Sequence, residues 1–170
     1  ATFESTLGWT NTGSYDWSRD SSGTPSYGTG PNTGANGSSY YAYVETSSGS
    51  AYNSGNEAII ESPAFTGSNR VLSFEYHMYG SNMGTLRAEA LTDGGQWTPV
   101  TTISGQQQTS NGSSYITRTV DLSSYGSQAI KVRFRYTAVG GYRGDVAIDD
   151  VYITGDGGSI GGSVTEGSSG

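Results

Sequence analysis

Through the middle and end of the chain, apolar and polar positions alternate with a period of two. In "RVLSFEYHMYG" the side chains of Leu72, Phe74, Tyr76 and Met78 share one face, and Ser73, Glu75, His77 and Tyr79 share the other. That is the pattern of a half-buried strand. "AIKVRFRYTA" repeats it, with Ile130, Val132, Phe134 and Tyr136 set against Lys131, Arg133 and Arg135. "YYAYVETS" puts Tyr41, Tyr43 and Glu45 opposite Tyr40, Ala42 and Val44, and "GTLRAEAL" puts Leu86, Ala88 and Ala90 opposite Arg87 and Glu89. "EAIIESPAF" reads as a short strand ended by Pro63, and "QWTPVTTI", "SYITRTVDL" and "GDVAIDDVYIT" read as three more. The first forty residues hold only isolated anchors, Phe3, Trp9, Trp17 and Tyr27. No segment sustains a helical period. Strands at this spacing, divided by glycine-rich turns, predict an all-β antiparallel sandwich of jelly-roll type.

Composition agrees. The 170 residues fit one domain, and 27 glycines with 13 tyrosines suit short strands and turns better than helices. A net charge of −7 argues against a nucleic-acid partner, which needs a basic surface, and leaves carboxylates free for a hard cation. The absence of cysteine excludes disulfides, thiolate zinc sites and cysteine nucleophiles. No apolar run approaches the roughly 18 residues of a membrane-spanning helix, so membrane insertion is not expected. The C-terminal "GDGGSIGGSVTEGSSG" reads as a Gly/Ser linker, which divides the chain into a sandwich over 1–155 and a tail over 156–170. Such a tail suggests a module tethered to other domains of a longer exported protein.

Six stretches together resemble a known family: "FESTLGW", "YDWSRDSSGTPSYGTGP", "YYAYVETS", "EAIIESP", "LSFEYHMYGSNMGTL" and "GGYRGDVAIDDVYITG". Their order and content are similar to the MAM domain, the extracellular module of meprin, A5 antigen and receptor phosphatase mu. The departures are specific. Animal MAM domains carry paired cysteines, whereas this chain has none and has Leu72 just before "SFEYHMYG". "SYITRT" stands where a tryptophan is common. A cysteine-free member looks bacterial. The resemblance implies that "YHMYG" is a framework motif, and His77 has no second histidine and no marked nucleophile beside it for a metal or catalytic triad. His77 is therefore expected to be structural, or to touch a ligand, and the protein is not expected to be an enzyme.

Three sets of residues carry candidate chemistry. Glu4, Asp16, Glu45, Asp149 and Asp150 lie in the resembling motifs. If the first and last strands adjoin, they make an oxygen-rich cage suited to Ca²⁺, which the resemblance also implies. The plain alternative is that they accept hydrogen bonds from loop amides or pair with Arg19 and Arg143. On the polar strand faces His77, Tyr79, Arg87, Arg133 and Arg135 would form a surface for an acidic or sulfated sugar, if their strands are neighbours. The alternative there is a solvated face with cross-strand ion pairs. Trp97 and Tyr142, beside glycines, are candidate stacking platforms. The Arg-Gly-Asp triplet at Arg143–Asp145 falls inside a motif of the family and is read as coincidence. The expectation is a secreted or surface-bound, non-catalytic module that binds calcium structurally and polysaccharide as ligand. The alternatives are adhesion to a surface protein, or a spacer.

Overall fold

The computed structural model describes residues 1–47, 49–157 and 165–168. Among these residues eleven strands run in chain order: β1 (Thr10–Asn11), β2 (Ser18–Asp20), β3 (Tyr41–Val44), β4 (Glu57–Glu61), β5 (Ser68–Met78), β6 (Thr85–Thr92), β7 (Thr98–Ser104), β8 (Ile116–Asp121), β9 (Ile130–Thr137), β10 (Val146–Asp156) and β11 (Thr165–Ser168). One 3₁₀ turn, Ser123–Tyr125, precedes β9. The first sheet has the order β1-β4-β9-β6-β7 and the second β2-β3-β10-β5-β8. All pairings within these two paths are antiparallel. β11 lies parallel to the far half of β10, with Tyr152 opposite Thr165, so four residues of the segment expected as linker join the sheet edge. This is the all-β sandwich that the alternation predicts.

The core is built from the apolar positions of that alternation. Leu72, Phe74, Tyr76 and Met78 of β5 are buried, as are Val132, Phe134 and Tyr136 of β9 and Val146, Ile148, Val151 and Ile153 of β10. The isolated aromatic anchors of the first segment complete this layer. Trp9 stacks on Phe134 with centroids 5.7 Å apart, Phe74 meets the same ring edge-on at 4.9 Å, and the buried Trp17 donates from its indole nitrogen to the Ala58 carbonyl. Offset and edge-on geometries are those aromatic rings prefer. Gly80 and Gly84 of "YHMYG…MGTL" have no room for a side chain. A Cβ at either would strike backbone, the Arg143 carbonyl in one case and the Thr137 carbonyl in the other.

Candidate functional site

The outer face of the second sheet holds a further buried layer. Pairing sets Tyr43 opposite Ala147, and Ala147 opposite His77, while Tyr115 stands one position before β8. Tyr41, Tyr43 and Ala147 are buried and pack with Tyr115 as a small second core. The cover comes from the loop between β7 and β8. Gln108 is bonded there at three points: it accepts from the Met78 amide at 2.6 Å and donates to the Tyr76 and Ser114 carbonyls. His77 lies underneath with no solvent exposure, its ring 5.3 Å from that of Tyr115. Neither ring nitrogen has a hydrogen-bond partner. Burial lowers its pKa to about 4, against the opposing effect of nearby backbone groups of Ser113 and Ser110. The polar face expected from the sequence is thus covered, and His77 cannot meet a ligand there.

The five expected metal residues do not converge; among the described residues no three acidic or histidine side chains form a cluster fit for a metal. The chain's first residues do run beside β10, where the Val151 amide donates to the Ala1 carbonyl at 2.9 Å. The oxygens nearby are nevertheless engaged. Asp149 accepts through Oδ2 from the Ala35 amide and the Ser38 hydroxyl, and through Oδ1 from the Asp150 amide. Burial pushes its carboxyl up to about 6 despite those donors. Asp150, in the left-handed region at φ 46°, accepts from the Asn36 amide group, and Glu4 accepts from the Tyr40 backbone at 2.8 Å. Loop tethering is what these three carboxylates do. Arg19 donates to the Phe3 and Glu4 carbonyls rather than to a carboxylate.

Glu45 and Asp145 are different. Val44 is paired with Val146, and Glu45 and Asp145 are the residues just beyond that pair, where the Glu45 charge acts on the Asp145 carboxyl. Asp145, which the sequence reading left out of the metal set, is fully buried. Its Oδ1 accepts from the amide and hydroxyl of Thr46, at 2.9 and 3.1 Å, and its Oδ2 is buried without a partner. Glu45 accepts through Oε1 from the Ser26 hydroxyl and the Ser47 amide, both at 3.0 Å, and its buried Oε2 likewise has no partner. Burial, opposed by the nearby Thr24 hydroxyl and reinforced by the Glu45 charge, pushes the Asp145 carboxyl up to about 7. Glu45 also lines an open cleft of about 440 Å³ with Asp16, Tyr15 and Ser18. Burial of Asp145 hides the acid of the Arg-Gly-Asp triplet.

The arginine face lies on the other sheet, so His77 and Tyr79 share no surface with Arg87, Arg133 and Arg135. Neighbouring strands do bring the three arginines together, with Arg87 opposite Arg135 and Glu89 opposite Arg133. The charges of Arg133 and Arg135 are consumed internally. The buried Glu89 accepts from Nε of Arg133 and Nε of Arg135, each at 2.9 Å, and Glu57 accepts from Nη1 of Arg135. Burial alone would raise the Glu89 carboxyl, but the hydrogen bonds of Arg135 and Arg133 hold it below the usual range. Arg87 donates to the Thr137 hydroxyl, and Trp97 lies under the Arg133 guanidinium at 4.4 Å. This is the cross-strand ion-pair face that was the plain alternative.

Of the large apolar side chains left exposed among the described residues, all but Ile116 of β8 lie on loops. Tyr27 is 84% exposed, Val139 52%, Tyr142 43% and Tyr52 38%. The loop of Tyr52 is bonded to that of Val139 and Tyr142: the Gly141 amide donates to the Tyr52 carbonyl and the Gly55 amide to the Ala138 carbonyl. Arg143 links the two most exposed tyrosines, its guanidinium 6.0 Å from the Tyr27 ring and 5.4 Å from the Tyr142 ring. Its Nε is buried without a partner, and among the described residues no carboxylate pairs with it. Only Tyr142 of this group was expected. The signal for Tyr27 was the same one, a tyrosine beside glycine in "SYG".

Comparison with known proteins places this geometry. The family model described as "MAM domain, meprin/A5/mu" matches residues 1–157. A human protein named MAM domain-containing glycosylphosphatidylinositol anchor protein 1 is 32% identical over 152 residues, covering 84% of this chain and 15% of the relative. The chain thus spans about 15% of the length of that relative. Among solved structures, the K2 cleaved adhesin domain of Lys-gingipain is similar with a TM-score of 0.60 at 21% identity, covering 88% of this chain and 93% of that one. TmCBM61, solved in complex with β-1,4-galactotriose, has a TM-score of 0.58 at 13% identity over 89% of this chain and 92% of that one. At these identities the two structures speak to the fold.

Proposed function

The chain belongs to the MAM family, and from that premise we propose a non-catalytic extracellular module, secreted or held at a cell surface, that binds polysaccharide through its tyrosine rim. The carrying observation is the Tyr27–Arg143–Tyr142 arrangement, two exposed rings 6.0 and 5.4 Å from the guanidinium of an arginine that has no acidic partner among the described residues. Ring faces stack on the apolar faces of sugars, and a free guanidinium adds a fork for a carboxylate or sulfate. A polysaccharide bearing such groups is the ligand class this supports. A sandwich of the same fold is solved with a galactotriose in TmCBM61. The relative's name places it at a glycosylphosphatidylinositol anchor, and no described helix is long and apolar enough to cross a membrane. The reading as non-catalytic is supported by His77, whose buried ring activates no hydroxyl.

The test is retention on immobilised acidic and neutral polysaccharides. Tyr27→Ala and Tyr142→Ala should each weaken retention about tenfold, the equivalent of about 1.4 kcal/mol. Arg143→Ala should weaken it and flatten its salt dependence. Arg133→Ala should leave it unchanged. Retention lost with Arg133 and kept without Tyr27 would return the site to the sheet face. No retention on any glycan, with capture by a purified surface protein, would make the rim an adhesion surface.

A further inference from the structure

We propose that Asn36 and Asn111 are sites of spontaneous deamidation, and that conversion of Asn111 loosens the loop that carries Tyr27. Asparagine is chemically labile, and only these two of the chain's eight asparagines are followed by glycine. The structure gives both pairs the same setting. Each fills the two central positions of a four-residue turn. One is closed by the Ser38 amide donating to the Ala35 carbonyl at 2.8 Å, the other by the Ser113 amide donating to the Ser110 carbonyl at 3.3 Å. Asn36 at φ 51° and Gly37 at φ 82° are both left-handed, as in the type I′ turn that Asn-Gly favours. Asn36 and Asn111 line one open cleft of about 430 Å³, so water reaches both.

The reaction needs only water and a free neighbouring amide. The main-chain nitrogen of the glycine attacks Cγ of the asparagine, forming an N–Cγ bond in a five-membered ring. The Cγ–Nδ2 bond breaks, and the side-chain nitrogen leaves as ammonia with the proton given up by the glycine amide. Water then adds to one carbonyl of the ring, and opening yields aspartate or isoaspartate. Two features favour the first step. Among the described residues neither the Gly37 nor the Gly112 amide donates a hydrogen bond, so the attacking nitrogen is not engaged. Both glycines also border open space: a Cβ at Gly37 would meet nothing within 4 Å, and one at Gly112 only the Asn32 amide group at 3.5 Å. Surface turns of this kind open locally without unfolding the sheets.

Each turn uses as a tie the very amide it is set to lose. The Asn111 amide group donates to the Thr29 and Gly30 carbonyls, each at 2.8 Å, and so fastens the loop after Tyr27 to the β7–β8 connection. A carboxylate there can only accept, which turns negative oxygen toward two carbonyl oxygens. The Asn36 amide group donates to Oδ2 of Asp150 at 2.9 Å. Conversion there opposes two carboxylates, beside the turn that holds Asp149 through the Ala35 amide and the Ser38 hydroxyl.

The test follows mass and melting of the chain alone, so its outcome does not depend on any ligand. After incubation in mildly alkaline buffer, peptide mapping should find the amide-to-acid mass gain in the peptides of Asn36 and Asn111 and not in those of the other asparagines. Gly112→Ala should suppress the gain at Asn111 and keep the parent's melting temperature, because the added methyl fits at ordinary contact distance. Asn111→Asp should lower the melting temperature by about 5 °C and speed chymotrypsin cleavage after Tyr27 severalfold. Asn111→Ala, which removes the donor without adding charge, decides if that variant fails to fold. A gain absent from either peptide, or spread evenly over all asparagines, would overturn the proposal. So would conversion at Asn111 that Gly112→Ala leaves untouched. Parent-like melting and cleavage in Asn111→Asp would overturn the loosening of the loop.

Discussion

At the scale of the residue, His77 has the most distinctive environment. It is buried against Tyr115 with neither nitrogen bonded, and its pKa is lowered to about 4 from 6.5. The unfolded chain takes up a proton on this ring below about pH 6.5, and the folded chain does so only near 4. Stability from the neutral ring is therefore whole at pH 7 and is lost as pH falls through 6.5 toward 4, by as much as about 3 kcal/mol. Asp145 and Asp149 act in the opposite sense, because their raised pKa values let the fold gain protons before the unfolded chain does. His77→Phe separates the effects. The variant should match the parent at pH 7 and exceed it increasingly by pH 4.5, as read by urea melts across that range. Parallel pH profiles for parent and variant would mean that the folded ring takes up protons freely.

At the scale of the element, the ladder of β4, β9 and β6 sets two arginines and two glutamates side by side on the open face of the first sheet. Glu89 is the vulnerable member, 2% exposed and accepting from both Arg133 and Arg135. Arg135→Met should cost about 3 kcal/mol, because removing one partner leaves a buried charge under-compensated. Glu89→Gln paired with Arg135→Met should recover much of that loss, as a double-mutant cycle by chemical denaturation would show. The alternation read from sequence assigned the faces of β3, β5 and β9 correctly, and for a physical reason: side chains of successive residues must point to opposite sides of a strand. It carried no information on which sheet each strand joins, so His77 and Arg133 were placed on one surface when they lie on opposite sheets. Nor could it show that the polar face of β5 is roofed. The roof is a loop rich in Gly, Ser, Gln and Asn with no apolar period, and it covers by bonding backbone through Gln108.

At the scale of the molecule, the fold was legible because turn residues and period-two runs recur along the whole chain, while the candidate sites were only partly so. Glu45 was among the expected metal residues, but Asp145, the buried acid its charge acts on, stands far from it in sequence. Tyr142 was expected, but Tyr27 joins it through Arg143 from a distant loop. Sites assembled from separate loops leave no local pattern to read. The same long-range assembly sets the speed of folding. With eight of the eleven described strands paired to a strand that is not their sequence neighbour, and hardly any helix among the described residues, refolding after dilution from denaturant should fall in the millisecond-to-second range. Complete recovery within microseconds in a stopped-flow trace would contradict that topology.

β3 has only two neighbours, β2 on one side and β10 on the other. Its buried residues Tyr41, Ala42, Tyr43 and Val44 leave the ribosome early, whereas β10 is nearly the last strand to emerge. At a synthesis rate of about 5–20 residues per second, about a hundred positions take on the order of 5–20 s. For that interval an apolar strand waits with one edge unfilled, exposed to chaperones, proteases and other nascent chains. Folding of the second sheet is thereby deferred until translation of the module is almost finished, and slowing translation just ahead of β10 would lengthen the vulnerable period without changing a single contact of the finished protein.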